Sequence, residues 1–139
     1  KEVEELSGQV AAGAVIKARG LKLEAYNSSD KVTDRSSRVT YMLATLVLSE
    51  NDLAPRGPVR VYIRVKGPDG ILLTNSSQRT FEVAGEPMIC SASREVDYQG
   101  SEVEVCIYFE YGEQFVKGVY SVEAYTTETK LGSADLLLK

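Results

Sequence analysis

Apolar residues recur with period two along most of the chain. In VRVYIRVK, Val59, Val61, Ile63 and Val65 share one parity and Arg60, Tyr62, Arg64 and Lys66 share the other. That alternation predicts a strand with one face on a core. GPDG ends it, with Pro68 presetting a turn and Gly70 supplying positive φ. Residues 71–74 resume as the partner strand, and RTFEV gives a short strand around Phe81 and Val83. In EVEVCIYFEY the inner row is Val103, Val105, Ile107 and Phe109; in GVYSVEAYT it is Tyr120, Val122 and Ala124; in LGSADLLLK, Ala134, Leu136 and Leu138 alternate.

Two segments depart from simple alternation. In AVIKARGLKLEAYN, Ala14, Ile16 and Ala18 share one parity and Leu21, Leu23 and Ala25 the other, with Gly20 at the switch. A parity change at a glycine predicts a β-bulge or a bend within a first strand over 14–26. RVTYMLATLVLSEN is apolar on both parities and rich in Val and Thr, which predicts a central strand covered on both sides. NSSDK, NDLAPRGP, NSSQ, GEQFVKG and TETK read as turns and loops. MICSASREV and EVEVCIYFEY flank DYQGS and read as a hairpin.

The sum is about seven to nine short strands with turn signals every eight to twelve residues or so, the pattern of an all-β antiparallel immunoglobulin-like or fibronectin-like sandwich. It is expected over residues 14–139. Residues 1–13 open differently: Val3, Leu6 and Val10 in KEVEELSGQV have helical spacing among charges. This is a short helical remnant or linker, or the end of a coiled coil lying upstream. The first residue is Lys1, so a trimmed piece of a longer protein is expected.

Composition narrows the function classes. The chain has 139 residues, 43% hydrophobic and 26% charged, enough for one domain with a core of its own. Its net charge is −4 and its pI about 5.0, which argues against nucleic acid and against docking on anionic lipid. With no His, the commonest general base and zinc ligand are missing, and a Ser-His-Asp or Cys-His site cannot be assembled from this chain. Glu102, Glu104 and Glu110 lie opposite the core row and read as solvated positions, not a glycosidase pair. Asn27–Asp30 and Asp69-Gly70 do not match a calcium loop. No catalytic residue, metal or cofactor is expected, and no stretch approaches the ~20 apolar residues of a membrane helix.

Two constellations remain. Cys90 and Cys106 fall nearly opposite each other across the expected hairpin. Directly paired Cβ atoms lie ~4.5–5.5 Å apart against the ~3.8 Å of a disulfide, so a slightly strained bridge is one reading and two thiols packed as small apolar groups the other. Tyr62 and Tyr108 lie opposite the core rows, with Arg60 and Arg64 beside Tyr62, and Tyr111 and Phe115 sit in a loop. Tyr and Arg are frequent binding hot spots, so Arg60, Tyr62, Arg64 and Tyr108 form a candidate binding face; ordinary cross-strand packing is the other reading.

The segments NDLAPRGPVRVYIRVKGPDG, SREVDYQGSEVEVCIYFEYG and KGVYSVEAYTTETKLGSADLLLK, in this order, resemble the C-terminal immunoglobulin-like sandwich of Bacteroidetes coiled-coil cell-envelope proteins of unknown function, loosely labelled chromosome-segregation-like. The resemblance covers roughly residues 21–139. It implies a non-enzymatic structural or protein-interaction module on the periplasmic or extracellular side. The module would be displayed on a coiled coil that makes the parent oligomeric, and tethered by an anchor outside this segment, which itself makes no direct membrane contact. The partner would be an envelope protein or a glycan. The alternative is a carbohydrate-binding accessory domain of a larger extracellular enzyme, because sandwich folds host both.

Overall fold

The computed structural model describes residues 15–75, 79–111 and 113–139. The expected helical remnant over 1–13 lies outside the described residues. Ten strands are described: β1 (Ala18–Tyr26), β2 (Tyr41–Leu48), β3 (Gly57–Lys66), β4 (Leu72–Leu73), β5 (Arg79–Val83), β6 (Glu86–Cys90), β7 (Ala92–Tyr98), β8 (Val103–Phe109), β9 (Gly118–Tyr125) and β10 (Lys130–Leu138). All their pairings are antiparallel. One sheet runs β1-β2-β8. The second runs β10-β9-β3, and β3's other side is shared by β7, opposite residues 57–63, and β4, opposite 65–66.

The alternating rows build the core between the sheets. Leu23 and Ala25, Met42, Ala44, Leu46 and Leu48, and Val105, Ile107 and Phe109 are buried from the first sheet; Val61, Ile63, Val65, Tyr120, Val122 and Ala124 meet them from the second. Gly20 sits at the expected bulge. Arg19 pairs with Val47 but Lys22 with Thr45, so β1 carries one residue more than β2, and Gly20 takes φ +70°. The extra residue moves Lys22, Glu24 and Tyr26 outward and Leu23 and Ala25 inward. The Tyr120 hydroxyl donates to the Val116 carbonyl at 2.7 Å and accepts from the Val116 N–H at 2.8 Å. This is the tyrosine corner of Greek-key sandwiches. Phe115, buried at 3% exposure, and Tyr111 pack beside it, so these loop aromatics plug one end of the core.

Two sequence expectations need correction. The first concerns DYQGS. It does not close a hairpin: β7 joins β3 in one sheet and β8 joins β2 in the other, so residues 99–102 cross between sheets. Periodicity gave each strand an inward row but could not say which sheet each joins. Cys90 ends β6, paired with Arg79 and buried, whereas Cys106 lies on β8 opposite Thr45; both are free thiols. The second concerns β2, whose burial alternates strictly. Only its Met42–Leu48 row meets the core, and Tyr41, Leu43, Thr45 and Val47 are left half-buried on the outside.

The β5–β6 hairpin covers part of the second sheet. Phe81 stacks on Tyr62 with centroids 4.1 Å apart and packs against Tyr125, and Cys90 completes this small apolar cluster. Its turn places Ala84 at φ 50° and Gly85 at φ 88°, and the Ala84 N–H donates to Thr127 O at 3.0 Å. Two successive left-handed residues make the twist-matched hairpin turn that prefers Asn-Gly. A left-handed residue with a Cβ costs about 1–2 kcal/mol, and Asn relieves part of that by local hydrogen bonding. Ala84→Asn is expected to raise stability by about 0.5–1 kcal/mol, read as a higher urea midpoint with an unchanged slope.

Candidate functional site

The outer face of the three-stranded sheet is covered by no other element among the described residues. The bulge at Gly20 and the alternation of β2 and β8 place Tyr26, Tyr41 and Tyr108 on it, one from each strand. Tyr26 and Tyr41 are direct partners with rings stacked at 5.2 Å and 4°. Tyr41 meets Tyr108 at 5.6 Å and 60° across the diagonal, because Tyr108 itself faces Leu43. Tyr108 is 58% exposed, and Val32, bridged to Tyr26, is 59% exposed. Leu43, Thr45, Val47 and Cys106, all half-buried, continue the face.

The hydroxyls are anchored at one end of the row. Tyr41 donates to Asp30 Oδ1 at 3.0 Å and Tyr26 to Glu24 Oε1 at 3.4 Å. Burial, and then the hydrogen bond and charge of Asp30, push the Tyr41 phenol up to about 12. Burial and Glu24 raise Tyr26 as well. Both therefore stay protonated near neutral pH and act as hydrogen-bond donors on rings packed against one another. The stacked faces are used internally, so the row presents ring edges and one open flank at Tyr108. It is a ridge suited to packing into a complementary surface more than a flat platform on which a sugar ring lies.

The residues singled out from sequence do not form one face. Tyr62 is 9% exposed, under Phe81 of the β5–β6 hairpin. Arg60 donates to Ser93 Oγ at 3.1 Å and lies 3.8 Å from Glu95. Arg64 donates to Ile89 O at 3.0 Å and lies 3.7 Å from Glu123. These three occupy the outer side of the five-stranded sheet, whereas Tyr108 occupies the outer side of the other. The strand parity was read correctly, but parity does not reveal that a hairpin folds over one outer face. Tyr26 and Tyr41 were missed. The signal was the odd parity of β2 joined to the post-bulge parity of β1, which together put both rings outside.

Around Arg64 the groups form a structural network. Glu123 accepts from Lys130 at 3.1 Å and from the Tyr125 hydroxyl at 3.1 Å. Burial pushes its carboxyl up, but the Lys130 and Tyr125 hydrogen bonds outweigh it and hold the group below its ordinary 4.5. A depressed folded-state value contributes stability that is full above about pH 4.5 and is lost as pH falls through the folded value. Glu123→Gln is therefore expected to flatten the acid limb of a stability–pH curve below about pH 4.5, measured by urea midpoints. Of the acids considered from sequence, Glu102 pairs with Arg19 at 2.7 Å on the surface, and Glu104 and Glu110 are exposed. No cluster of three metal-ligating side chains occurs among the described residues.

Comparison with known proteins identifies the family and the fold. The family described as Domain of unknown function (DUF8428) matches residues 19–139. No curated protein matches the chain. Among solved structures, it is similar to the Pseudomonas fluorescens alkylpurine DNA glycosylase AlkC bound to DNA containing an abasic site analog. That match has 15% identity and a TM-score of 0.51, and covers 91% of this chain and 31% of that one. A beta-glucosidase from Kluyveromyces marxianus matches at 15% identity and a TM-score of 0.45, covering 86% of this chain and 14% of that one. The chain thus spans under a third of either structure, and at 15% identity the first likeness speaks for the sandwich fold alone.

Proposed function

This chain belongs to that family, and we propose that it is a non-enzymatic protein-interaction module whose contact surface is the outer face of the three-stranded sheet. One observation carries the reading: an aromatic row, Tyr26–Tyr41–Tyr108, runs across all three strands of a sheet face that no other element covers among the described residues. Tyr supplies large contact area at low entropy cost and recurs at hot spots. The missing His, together with acids that are ion-paired or solvated, supports a binding role over catalysis. An envelope setting is part of the proposal and is supported by the resemblance of residues 21–139 to envelope sandwich domains.

The test is retention of envelope proteins and, separately, of polysaccharides on the immobilised domain. Saturable retention of a protein is expected, weakened by roughly tenfold or more for Tyr108→Ser, since a hot-spot aromatic contributes about 2 kcal/mol or more. Ser at this exposed site leaves the core intact, which circular dichroism checks. Glycan retention lost on the same substitution would replace this reading with a carbohydrate-binding one. Protein retention indifferent to Tyr108 and Tyr41 would overturn the assignment of the face.

A further inference from the structure

The free long side of β8 bears on what kind of partner the tyrosine face takes. β8 pairs with β2 on one side; among the described residues, no strand pairs with the other. The Arg94 guanidinium, reaching from β7, donates to the Cys106 carbonyl at 2.9 Å, so that carbonyl points away from β2 into the open edge. In an antiparallel strand the N–H and C=O of one residue point the same way, and every second residue repeats the direction. Glu104, Cys106 and Tyr108 therefore present their backbone groups to this edge. The same three residues carry their side chains on the outer face. The next position in the row Tyr26–Tyr41–Tyr108, beside the 58%-exposed Tyr108, is filled by no strand among the described residues.

We infer that the β8 edge accepts an extended segment of a partner protein as a fourth strand, with an aromatic or β-branched residue beside Tyr108 and basic residues facing Glu104 and Glu110. This rests on the reading of the tyrosine face as a protein contact and specifies its partner. Charge selects the occupant. Glu104 and Glu110 are exposed and lie in no ion pair among the described residues, so a second copy would bring another set of the same acids to the seam, where like charges are unfavourable. A segment carrying Lys or Arg meets the same positions with opposite sign. Main-chain hydrogen bonds give such strand addition its affinity and alternate side chains give it specificity. Arg94 meanwhile occupies the Cys106 acceptor, as charged residues do on edges kept from indiscriminate pairing, and the Asn75 amide occupies the Glu110 acceptor; both must swing away when a strand binds.

The probe is the blocked peptide Lys-Thr-Tyr-Thr-Val-Thr-Lys, titrated into the isotope-labelled domain at low salt, with Glu replacing both Lys in a control. Saturable amide shifts at Glu104, Cys106 and Tyr108 are expected. The acidic control should bind roughly tenfold more weakly, and Arg94→Ala should tighten the basic peptide by a few fold through loss of the competing donor. Unmoved β8 amides at several millimolar peptide, or equal response to both peptides, would overturn the inference. Shifts confined to the ring signals of Tyr26, Tyr41 and Tyr108 would overturn strand addition while leaving the face as a contact surface. Shifted β8 amides that persist in Tyr108→Ser would uphold the edge and count against the face.

Discussion

Ser91→Ala is expected to cost about 2–4 kcal/mol, far more than the loss of one oxygen from an ordinary position. Ser91 is fully buried at the point where the partner of β3 changes. β7 pairs with β3 up to Ile63↔Ala92, and β4 takes over at Val65↔Leu73. Between the two partners the ladder would break. Ser91 closes the gap: its N–H donates to Ile63 O at 2.8 Å, its hydroxyl accepts from the Val65 N–H at 2.9 Å, and the same hydroxyl donates to Leu73 O. Ala keeps the first bond and deletes the other two. A donor and an acceptor are then left buried without partners, at about 1–3 kcal/mol each. The neighbouring Ser93→Ala, half-buried with its hydroxyl accepting from Arg60, should change stability by about 0.5 kcal/mol or less. Urea unfolding gives both numbers. Amide exchange adds a local readout, because Val65 should lose protection in Ser91→Ala beyond the global drop.

Ser91 also marks how far the sequence could be read. The inward rows of β3, β8, β9 and, from Gly132 onward, β10 were legible because each alternates there without interruption, and Gly20 was legible as a bulge because parity changes there. What was not legible is which strand joins which sheet. Ser91 is a polar residue in MICSASREV with nothing in its local pattern to say that it splices two strands onto one edge. The same ambiguity produced the expected β7–β8 hairpin and, with it, the expected closeness of Cys90 and Cys106. The candidate site divides in the same way. Tyr108 was found, since its exposure follows from the parity of its own strand. For Tyr62 parity left a binding face and a packed face both open, because the β5–β6 hairpin that covers it is a tertiary event. Tyr26 and Tyr41 needed two strands to be registered across a bulge before their stacking could be seen. Local alternation thus gives inside and outside, while neighbour identity comes from contacts remote in sequence, and the tyrosine row depends on the second kind of information.

Gly118→Ala carries the other large expected effect, about 3–5 kcal/mol, from two independent causes. Gly118 opens β9 at φ +136°, a backbone region nearly closed to side chains, where a non-glycine residue costs about 1–3 kcal/mol. A Cβ built there also lies 2.5 Å from Pro68 Cγ and 2.6 Å from Pro68 Cβ. Pro68 belongs to the 67–70 turn, where the Gly70 N–H donates to Gly67 O at 2.9 Å and the Gly67 N–H donates to Ile71 O at 3.0 Å. A ring locked in φ and held by two backbone bonds cannot yield as a long side chain would, so overpacking adds about 1–3 kcal/mol. The turn and the start of β9 are thereby pressed together next to the tyrosine corner at Tyr120, whose register depends on where β9 begins. A double-mutant cycle separates the causes. Pro68→Gly, which removes both Cγ and Cβ, should in the Gly118→Ala background recover the contact part and leave the backbone part, so the two substitutions should be clearly non-additive. Full additivity would mean that Pro68 and Gly118 do not touch in solution, and a loss under about 1 kcal/mol would mean that β9 starts in a conformation other than the one described.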